Sequence, residues 1–481
     1  MSLSIAFHSA ASGLQLASRG AQVVSDNIAN ANTDGFGVRS LTQSSRILGR
    51  DGSGVVMTGI NRESDPALLA EIRGANAAQS NTAGLLDFWT GLEATIGIPG
   101  EAGALSTHIT NFEGALKQAS IQPESQSALQ KVALSASGLA DKINEIDASL
   151  QRTRDDADAS ISRDVNRLNS MFEQISTLNK DISRQKLAGD FPHALEDARQ
   201  NLIDQASALI PLKEIARPDG RSMIMGADGT IFVDRDAARL EFQRTPSPAA
   251  GENVAAGELG RLVINGRAVP ATNPLMQSGR IGSAFQLRDE IAPALQAQLD
   301  QFSEDLVVRF SDPGVDPTIP AGAFGLFAVA HETTMPPGLV GISGRIILNG
   351  NITPDDTGTT WRIRDGIYAA VPGAVSENAT IVRMNDALLA FTPDAAGTGP
   401  DSDTLGHAAA LLSQTATRRL IAESETAYTS GRSAALQELL GARGVDTDAE
   451  LQKLLVLENS YAANARVMAA ADSMLRTLLE M

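Results

Sequence analysis

The segment LSIAFHSAASGLQLASRGAQVVSDNIANA (residues 3–31) carries apolar or small side chains at alternating steps of four and three residues. The positions in this series are Leu3, Phe7, Ala10, Leu14, Ala17, Ala21, Val24, Ile28 and Ala31. Such spacing is typical of a helix that packs along its whole length against another helix. A single helix cannot bury this seam by itself, so the sequence predicts a helical partner.

The C-terminal end of the chain has the same spacing. Its seam positions are Leu454, Leu457, Tyr461, Asn464, Met468, Ala471, Leu475 and Leu478. We predict that the two terminal helices pair as a coiled coil and that the pair packs against copies from other subunits. The alternative is that both seams are simply core packing within one subunit.

A long helix is predicted in the middle of the chain, between Pro123 and Pro192, where no other proline occurs. Its apolar positions are mostly spaced by three, four or seven residues: Val132, Leu139, Ile143, Ile146, Leu150, Ala157, Ile161, Val165, Leu168, Phe172, Ile175 and Ile182. About sixty residues of helix would be on the order of 95 Å long at 1.5 Å per residue. A shorter helix with Leu195, Ala198, Leu202, Ala206 and Leu209 is expected to fold back.

Strand-like segments interrupt the helices. Residues 38–62 predict an extended or hairpin segment, and Asn265-Gly266 is a strong two-residue turn signal. Residues 312–402 are rich in Gly, Pro, Thr and Asp, with strand-like stretches at 345–348 and 360–363. The predicted fold is therefore mainly α with β insertions.

Three domains are predicted from these patterns. Residues 1–37 and 447–481 would form a terminal helical assembly domain. Residues 38–311 and 403–446 would form a helical rod domain with β hairpins, built as a long helical bundle. Residues 312–402 would form a small β-rich inserted outer domain.

Composition narrows the classes of function. There are 57 acidic and 39 basic residues, a formal net charge of −18, which argues against nucleic acid as a main partner. With no cysteine, disulfides and thiolate metal sites are excluded. We find no apolar run long enough to cross a membrane. Since no Lys or Arg precedes Arg19, the N-terminus does not fit a secretory signal, and we expect any export to use a route without a cleaved signal.

No constellation of catalytic or metal-binding residues stands out. The five histidines do not form a metal-spaced pair, and His331-Glu332 lacks the second histidine of a zincin helix. The acidic run at 155–158 is best interpreted as a solvated helix face. We therefore expect no catalytic residue, no cofactor and no metal site.

Two segments resemble a known family. Ser12-Gly13-Leu14 with the stretch from Asn27 to Phe36 (NIANANTDGF) resembles the N-terminal signature of the flagellar rod, hook and hook-associated axial proteins. The stretch YAANARV (residues 461–467) is similar to their C-terminal signature. The stretch SGRIGSAFQLRD (residues 278–289) and the helical middle resemble the hook-associated protein 1 group of this family.

The resemblance implies a structural, non-enzymatic protein outside the cell, in a homo-oligomeric ring at the junction of hook and filament. The implied partners are the hook protein, the next hook-associated protein toward the filament, and a cytoplasmic export chaperone that binds the C-terminal helix. Export would pass through the flagellar type III apparatus. The alternatives are a hook or rod axial protein, a flagellum-associated enzyme such as a cell-wall hydrolase, and a cytosolic coiled-coil adaptor.

The predicted assembly interface joins the two seams and the turn that follows the first helix. It comprises Leu3, Phe7, Leu14, Val24, Asn27, Ile28, Asn30, Asn32, Gly35, Phe36, Leu454, Leu457, Tyr461, Asn464, Met468, Leu475 and Leu478. Asn464, a polar residue in an apolar seam, is the candidate for setting the register of the helices.

Overall fold

The computed structural model describes residues 3–48, 51–334, 340–352, 359–393 and 401–480. Its fold is mainly helical with small antiparallel sheets, which confirms the predicted fold class. The α-helices are α1 (Leu3–Ala29), α2 (Pro66–Ile96), α3 (Leu105–Ile121), α4 (Gln126–Ala188), α5 (His193–Leu209), α6 (Gly279–Gln286), α7 (Ala292–Ser311), α8 (Arg362–Asp365), α9 (Ala379–Leu389), α10 (Thr404–Gly441) and α11 (Thr447–Leu479).

The strands pair in four small antiparallel sheets. They are β1 (Arg39–Leu48), β2 (Asp51–Arg62), β3 (Leu212–Ala216), β4 (Ser222–Gly226), β5 (Ile231–Val233), β6 (Leu240–Phe242), β7 (Leu262–Ile264), β8 (Arg267–Ala268), β9 (Phe327–Val329) and β10 (Ile346–Leu348). The sheets contain β1-β2, β3-β4-β5, β6-β7-β8 and β10-β9. The predicted hairpin at 38–62 is confirmed as β1-β2, and the predicted Asn265-Gly266 turn joins β7 to β8.

The chain divides into two compact units. The first contains Met1–Ala78, Arg167–Arg239 and Ser430–Met481, and the second contains Gln79–Asn166 and Leu240–Thr429. The three-domain division drawn from the sequence stays a prediction. Both terminal helices, the β1-β2 hairpin and α5 belong to the first unit.

Helix α4 confirms the long helix predicted from the proline-free window, with 63 residues. Every apolar position predicted for its seam is at most 6% exposed. In the first unit, Phe172 of this helix stacks on Phe232 of β5 with 5.1 Å between ring centroids. Regular apolar spacing therefore located this core correctly, because a helix of this length needs a continuous partner surface.

The described part of residues 312–402 is less β-rich than predicted. It contains the three-residue strands β9 and β10 together with helices α8 and α9. The strand predicted at 360–363 is wrong, because Arg362 N–H and Ile363 N–H donate to the carbonyls of Thr359 and Thr360 in a helical turn. Ile363 is fully buried, so its tertiary position overrides the β propensity of the stretch.

Helix α5 folds back as predicted, and Ala206 and Leu209 of its predicted apolar face are buried, but the N-terminal half of the helix buries other residues. Ala198 is exposed and Leu202 is half-buried, whereas Asp197 and Arg199 are buried. Arg199 donates to the side chain of Asn179, 2.8 Å away. These polar groups can be buried beside Ile203 and Ala206 because they find partners on neighbouring elements.

We expect Phe172→Ala to lower the free energy of unfolding of the first unit by about 3–5 kcal/mol, because it removes a fully buried ring and leaves a cavity. The matched control is Leu187→Ala at the end of the same helix, where the side chain is 85% exposed. The control should stay within about 0.5 kcal/mol of the wild type. Urea unfolding monitored by circular dichroism measures both, and equal effects would contradict this account of the core.

Candidate assembly site

Helices α1 and α11 pack closely in the first unit, which confirms the predicted pairing of the termini. The close approach occurs at two glycines of α1. A Cβ atom on Gly13 would lie 2.6 Å from Asn464 Nδ2, and one on Gly20 would lie 2.9 Å from Leu457 Cδ2. At this separation of the helices, a Cβ at either position would force the side chain of Asn464 or Leu457 to shift.

A third contact between the helices is polar. Asn27 Nδ2 donates to Glu450 Oε2 at 3.0 Å. The same nitrogen donates to the Arg39 carbonyl at 2.8 Å, and Asn27 Oδ1 accepts from Arg39 N–H at 3.0 Å. Asn27 is 0% exposed and Glu450 is 3% exposed, so this amide joins α1, α11 and the start of β1 out of contact with solvent.

These three contacts follow one repeat. Gly13, Gly20 and Asn27 are seven residues apart, and Asn464, Leu457 and Glu450 descend by seven along α11. The helices are therefore antiparallel with a heptad repeat. The next layer by the same spacing would set Ala6 level with Ala471, which is 4% exposed.

The β1-β2 hairpin is attached to both α1 and α5. Val55 N–H donates to Ser12 Oγ of α1 at 3.2 Å. On the other side, Asp197 of α5 accepts from Arg62 Nε at 2.6 Å, Arg39 Nη2 at 3.0 Å and Gly37 N–H at 3.2 Å. One buried carboxylate thus holds both ends of the hairpin beside Asn27.

A second carboxylate on α5 lies beside the hairpin. Glu196 lies 2.9 Å from His193 Nδ1 and 2.7 Å from Lys186 Nζ, and His193 Nε2 is 3.0 Å from the carbonyl of Ile60 in β2. Burial alone would raise the pKa of Glu196. Hydrogen bonds from His193 and Lys186, with the positive charge of Lys186, outweigh burial and lower this pKa to about 2.

The predicted interface residues differ in their exposure in the single chain. Val24 and Asn27 are buried in the single chain, and half-buried positions are Phe7, Leu14, Ile28, Asn30, Gly35, Phe36, Leu454, Leu457, Asn464 and Met468. Tyr461 is 49% exposed, Leu475 is 39% exposed, and Asn32 is exposed. The side chains of Leu3 and Leu478 lie outside the described residues. Whether these positions contact other subunits stays a prediction.

The turn after α1 is held by contacts of Phe36 and by the backbone conformation of Gly35. Phe36 is half-buried, and the Arg39 guanidinium lies 4.7 Å from its ring centroid, so the ring is covered by a cation as well as by the core. Gly35 has a φ of +75°, and a Cβ there would lie 1.8 Å from Asn201 Oδ1. The turn therefore depends on glycine.

The polar residue that joins the helices is not the one expected. Asn464 Nδ2 donates to the Ser460 carbonyl of its own helix at 2.9 Å, so its amide is used within α11. Sequence reasoning missed Gly13, Gly20 and Glu450. The seven-residue spacing of Ala6, Gly13, Gly20 and Asn27 was the signal that could have revealed them.

Comparison with known proteins agrees with this arrangement. The sequence profile described as "Flagellar hook-associated protein FlgK helical domain" matches residues 91–312. "Flagellar hook-associated protein 1" of Bacillus subtilis is 22% identical over 94% of this chain and 92% of its own length. These matches identify the chain as a flagellar hook-associated protein 1-like protein. They support a structural protein of the hook–filament junction in the flagellum, outside the cell.

The terminal helices match two further profiles. "Flagella basal body rod protein" covers residues 7–36, and "Flagellar basal body rod FlgEFG protein C-terminal" covers residues 436–481. These are the segments that form α1 and α11 with their flanking turns. This chain therefore resembles flagellar rod proteins at its two ends and a hook-associated protein in its helical middle.

Two other relatives match this chain over a smaller share of their own length. "Flagellar hook-associated protein 1" of Salmonella typhimurium is 25% identical over 63% of this chain, which spans about half (54%) of that relative. The hook junction protein FlgK from Burkholderia pseudomallei, a solved structure, aligns with a TM-score of 0.46 and 18% identity over 54% of this chain and 47% of its own.

In the part of the chain that the structure describes, no cluster of three His, Asp or Glu side chains is arranged to hold a metal ion. None of the described helices is long and apolar enough to span a bilayer.

We expect Gly13→Ala and Gly20→Ala to weaken the α1–α11 pair, because each added methyl group would overlap a side chain of α11. Gly74→Ala is the matched control, since its Cβ would meet no atom within 4 Å. At that helical position alanine should stabilise the protein by about 0.5–1 kcal/mol. Hydrogen exchange of the α11 amides measures the local effect, and protection that is unchanged in the Gly13 and Gly20 variants would contradict the close packing.

The low pKa of Glu196 predicts a pH dependence of stability. Because the folded pKa lies below the unfolded value of 4.5, its contribution is complete above about pH 4.5. It is lost as the pH falls through the window from 4.5 to about 2. We expect the difference in unfolding free energy between wild type and Glu196→Gln to shrink across this window. A difference that is constant from pH 6 to pH 2 would refute the assignment.

Proposed function

We propose that this chain assembles into a homo-oligomeric ring between hook and filament, and that α1 and α11 form the joints between subunits. One observation carries the proposal: α11 presents a second apolar seam that α1 leaves uncovered. We call this seam the outer α11 stripe. It comprises Val456, Ala463, Val467, Ala470 and Met474, all of them exposed.

The outer α11 stripe has the spacing of a helix-packing seam. Its steps are seven, four, three and four residues, the same pattern as the inner seam that contains Leu457 and Asn464. Val456, Val467 and Met474 are 65%, 48% and 57% exposed. The stripe extends about 27 Å along the helix at 1.5 Å per residue. An exposed apolar stripe of this kind, interrupted only at Asn459 and Ser460, is typical of a protein-interaction surface.

A second copy of the same pair is the occupant that fits this stripe best. The stripe has no charged residue among its five members, so it matches another apolar helix and not a charged surface. Burial of apolar area yields about 25 cal/mol per Å². Repeated around a ring, many such contacts would hold together subunits that bind weakly in pairs.

The family supports the choice of further partners. The hook protein would contact one side of the ring and the next hook-associated protein the other. Before assembly, an export chaperone would cover the C-terminal helix, since α11 otherwise presents its apolar stripe to the cytoplasm. Because α1 packs against α11 in the folded chain, we infer that this N-terminal helix is retained when the protein leaves through the flagellar type III export apparatus.

We further infer that the chain has no catalytic activity of its own. The buried carboxylates of the described first unit serve as hydrogen-bond acceptors for structural contacts, as Asp197 does for Arg39 and Arg62. A hook or rod axial protein is the second candidate, favoured by the two profiles at the termini. The match of residues 91–312 to a hook-associated helical domain weighs against it.

We expect Val467→Asp to abolish assembly without unfolding the subunit. The substitution is at an exposed position, so the unfolding free energy should change by about 0.5 kcal/mol or less. A carboxylate within the outer α11 stripe would be buried without a partner in the ring. The variant should reach the culture medium, be absent from purified hook–filament structures and leave the cells unable to swim.

Ser473→Asp is the matched control, because it adds the same charge at an exposed polar position of α11 outside the stripe. It should assemble and support swimming. Normal incorporation of Val467→Asp at the junction would refute the proposed role of the stripe, whereas loss of both variants would show a general sensitivity of α11 to charge.

A further inference from the structure

The groove on α1 that receives α11 has a repeating shape. Ala6, Gly13 and Gly20 are small residues seven positions apart, and Asn464 and Leu457 pack at the two glycines. If α11 moved by seven residues along α1 in the direction that brings Asn464 to Ala6, Leu457 would face Gly13, and a small residue would again face each large one. Steric fit alone therefore does not distinguish the observed register from a register slipped by one heptad.

Hydrogen bonding does distinguish them. The side-chain amide of Asn27 makes three hydrogen bonds in this buried site. Its Oδ1 accepts from Arg39 N–H, and its Nδ2 donates to the Arg39 carbonyl and to Glu450. A slip in one direction would set the Glu450 carboxylate level with Gly20, which has no side-chain donor. A slip in the other direction would set Asn27 level with Leu457. Each leaves a buried polar group without its partner, which is costly.

The position of the Asn27 amide is itself fixed from outside the helix pair. Both of its bonds to Arg39 are to the backbone at the start of β1, and Asp197 on α5 holds the Arg39 side chain at 3.0 Å. The amide therefore cannot follow α11 if that helix slides. The hairpin and α5 supply the reference point against which the register is set.

We propose that the pair Asn27–Glu450 determines the register of the α1–α11 coiled coil, and that Asn464 does not. The biological consequence of this register rests on the proposed assembly function. A slip of seven residues would move the outer α11 stripe by about 10 Å at 1.5 Å per residue. A subunit in the wrong register would present its stripe at the wrong height to the next copy.

The absence of native cysteine allows a direct test in the full chain. Ser18→Cys and Ser473→Cys, both at exposed positions, place one nitroxide label on each helix. In the observed register their levels differ by fourteen residues, an axial separation of about 21 Å. A slipped register would change this separation to about 10 Å or about 31 Å. Double electron–electron resonance in solution reports the distance distribution.

We expect one narrow distance distribution in the labelled chain without further substitutions. Asn30→Ala is the matched control and should give the same distribution, because the described hydrogen bonds of Asn30 are to Asp26 and Thr33 of its own segment. Asn27→Ala should add a slipped population, raised about tenfold or more, as expected for loss of a hydrogen bond to a charged group. Glu450→Gln keeps an acceptor for Asn27 and should retain the single distance.

Asn27→Ala with Glu450→Ala removes both buried polar groups and is expected to populate more than one register while α11 stays helical. A single native distance in this double variant would overturn the proposal, as would a broad distribution from a detached α11 or a broad distribution in the wild type. The measurement does not require assembly, so failure of the ring proposal would leave its result unchanged.

Discussion

The other contacts around α1 in the first unit depend on the close packing of α1 and α11 at Gly13 and Gly20. Because no Cβ separates the helices there, Asn464 and Leu457 reach the backbone of α1. The same short separation brings Glu450 within 3.0 Å of Asn27. The amide, the hairpin and α5 then form one continuous hydrogen-bonded contact. A larger residue at either glycine would move α11 outward, and the buried polar contact would open to water.

This arrangement gives α11 two different faces. One face is satisfied inside the chain by α1, and its specificity comes from hydrogen bonds as well as from shape. The other face, the outer α11 stripe, is apolar and exposed, so its burial requires another molecule. The division suits a flagellar hook-associated protein 1-like protein, since a subunit that has a defined internal structure can still retain surface for its neighbours.

The sequence predicted those parts of the structure that follow from the regular spacing of apolar residues. Helix α4 and the pairing of α1 with α11 were of this kind, whereas the turn at Asn265-Gly266 followed from the backbone preferences of its two residues. Burial of polar residues was not predicted, because the partners that permit it are distant in sequence. Asp197 and Arg199 occupy the buried face of α5 where Ala198 and Leu202 had been expected. For the same reason Asn464 was chosen for the role that Asn27 is placed to fill, since Arg39 and Glu450 were not recognisable as its partners.

The contact between Asn27 and Glu450 joins residues separated by 423 positions in the chain. A nascent polypeptide emerges N-terminal end first, so α1 leaves the ribosome long before its partner has been translated. Closing so large a loop also carries an entropic cost that local helices do not bear. Pairing of the two ends therefore cannot begin until the C-terminal segment has been translated, and a truncated product of translation would lack it.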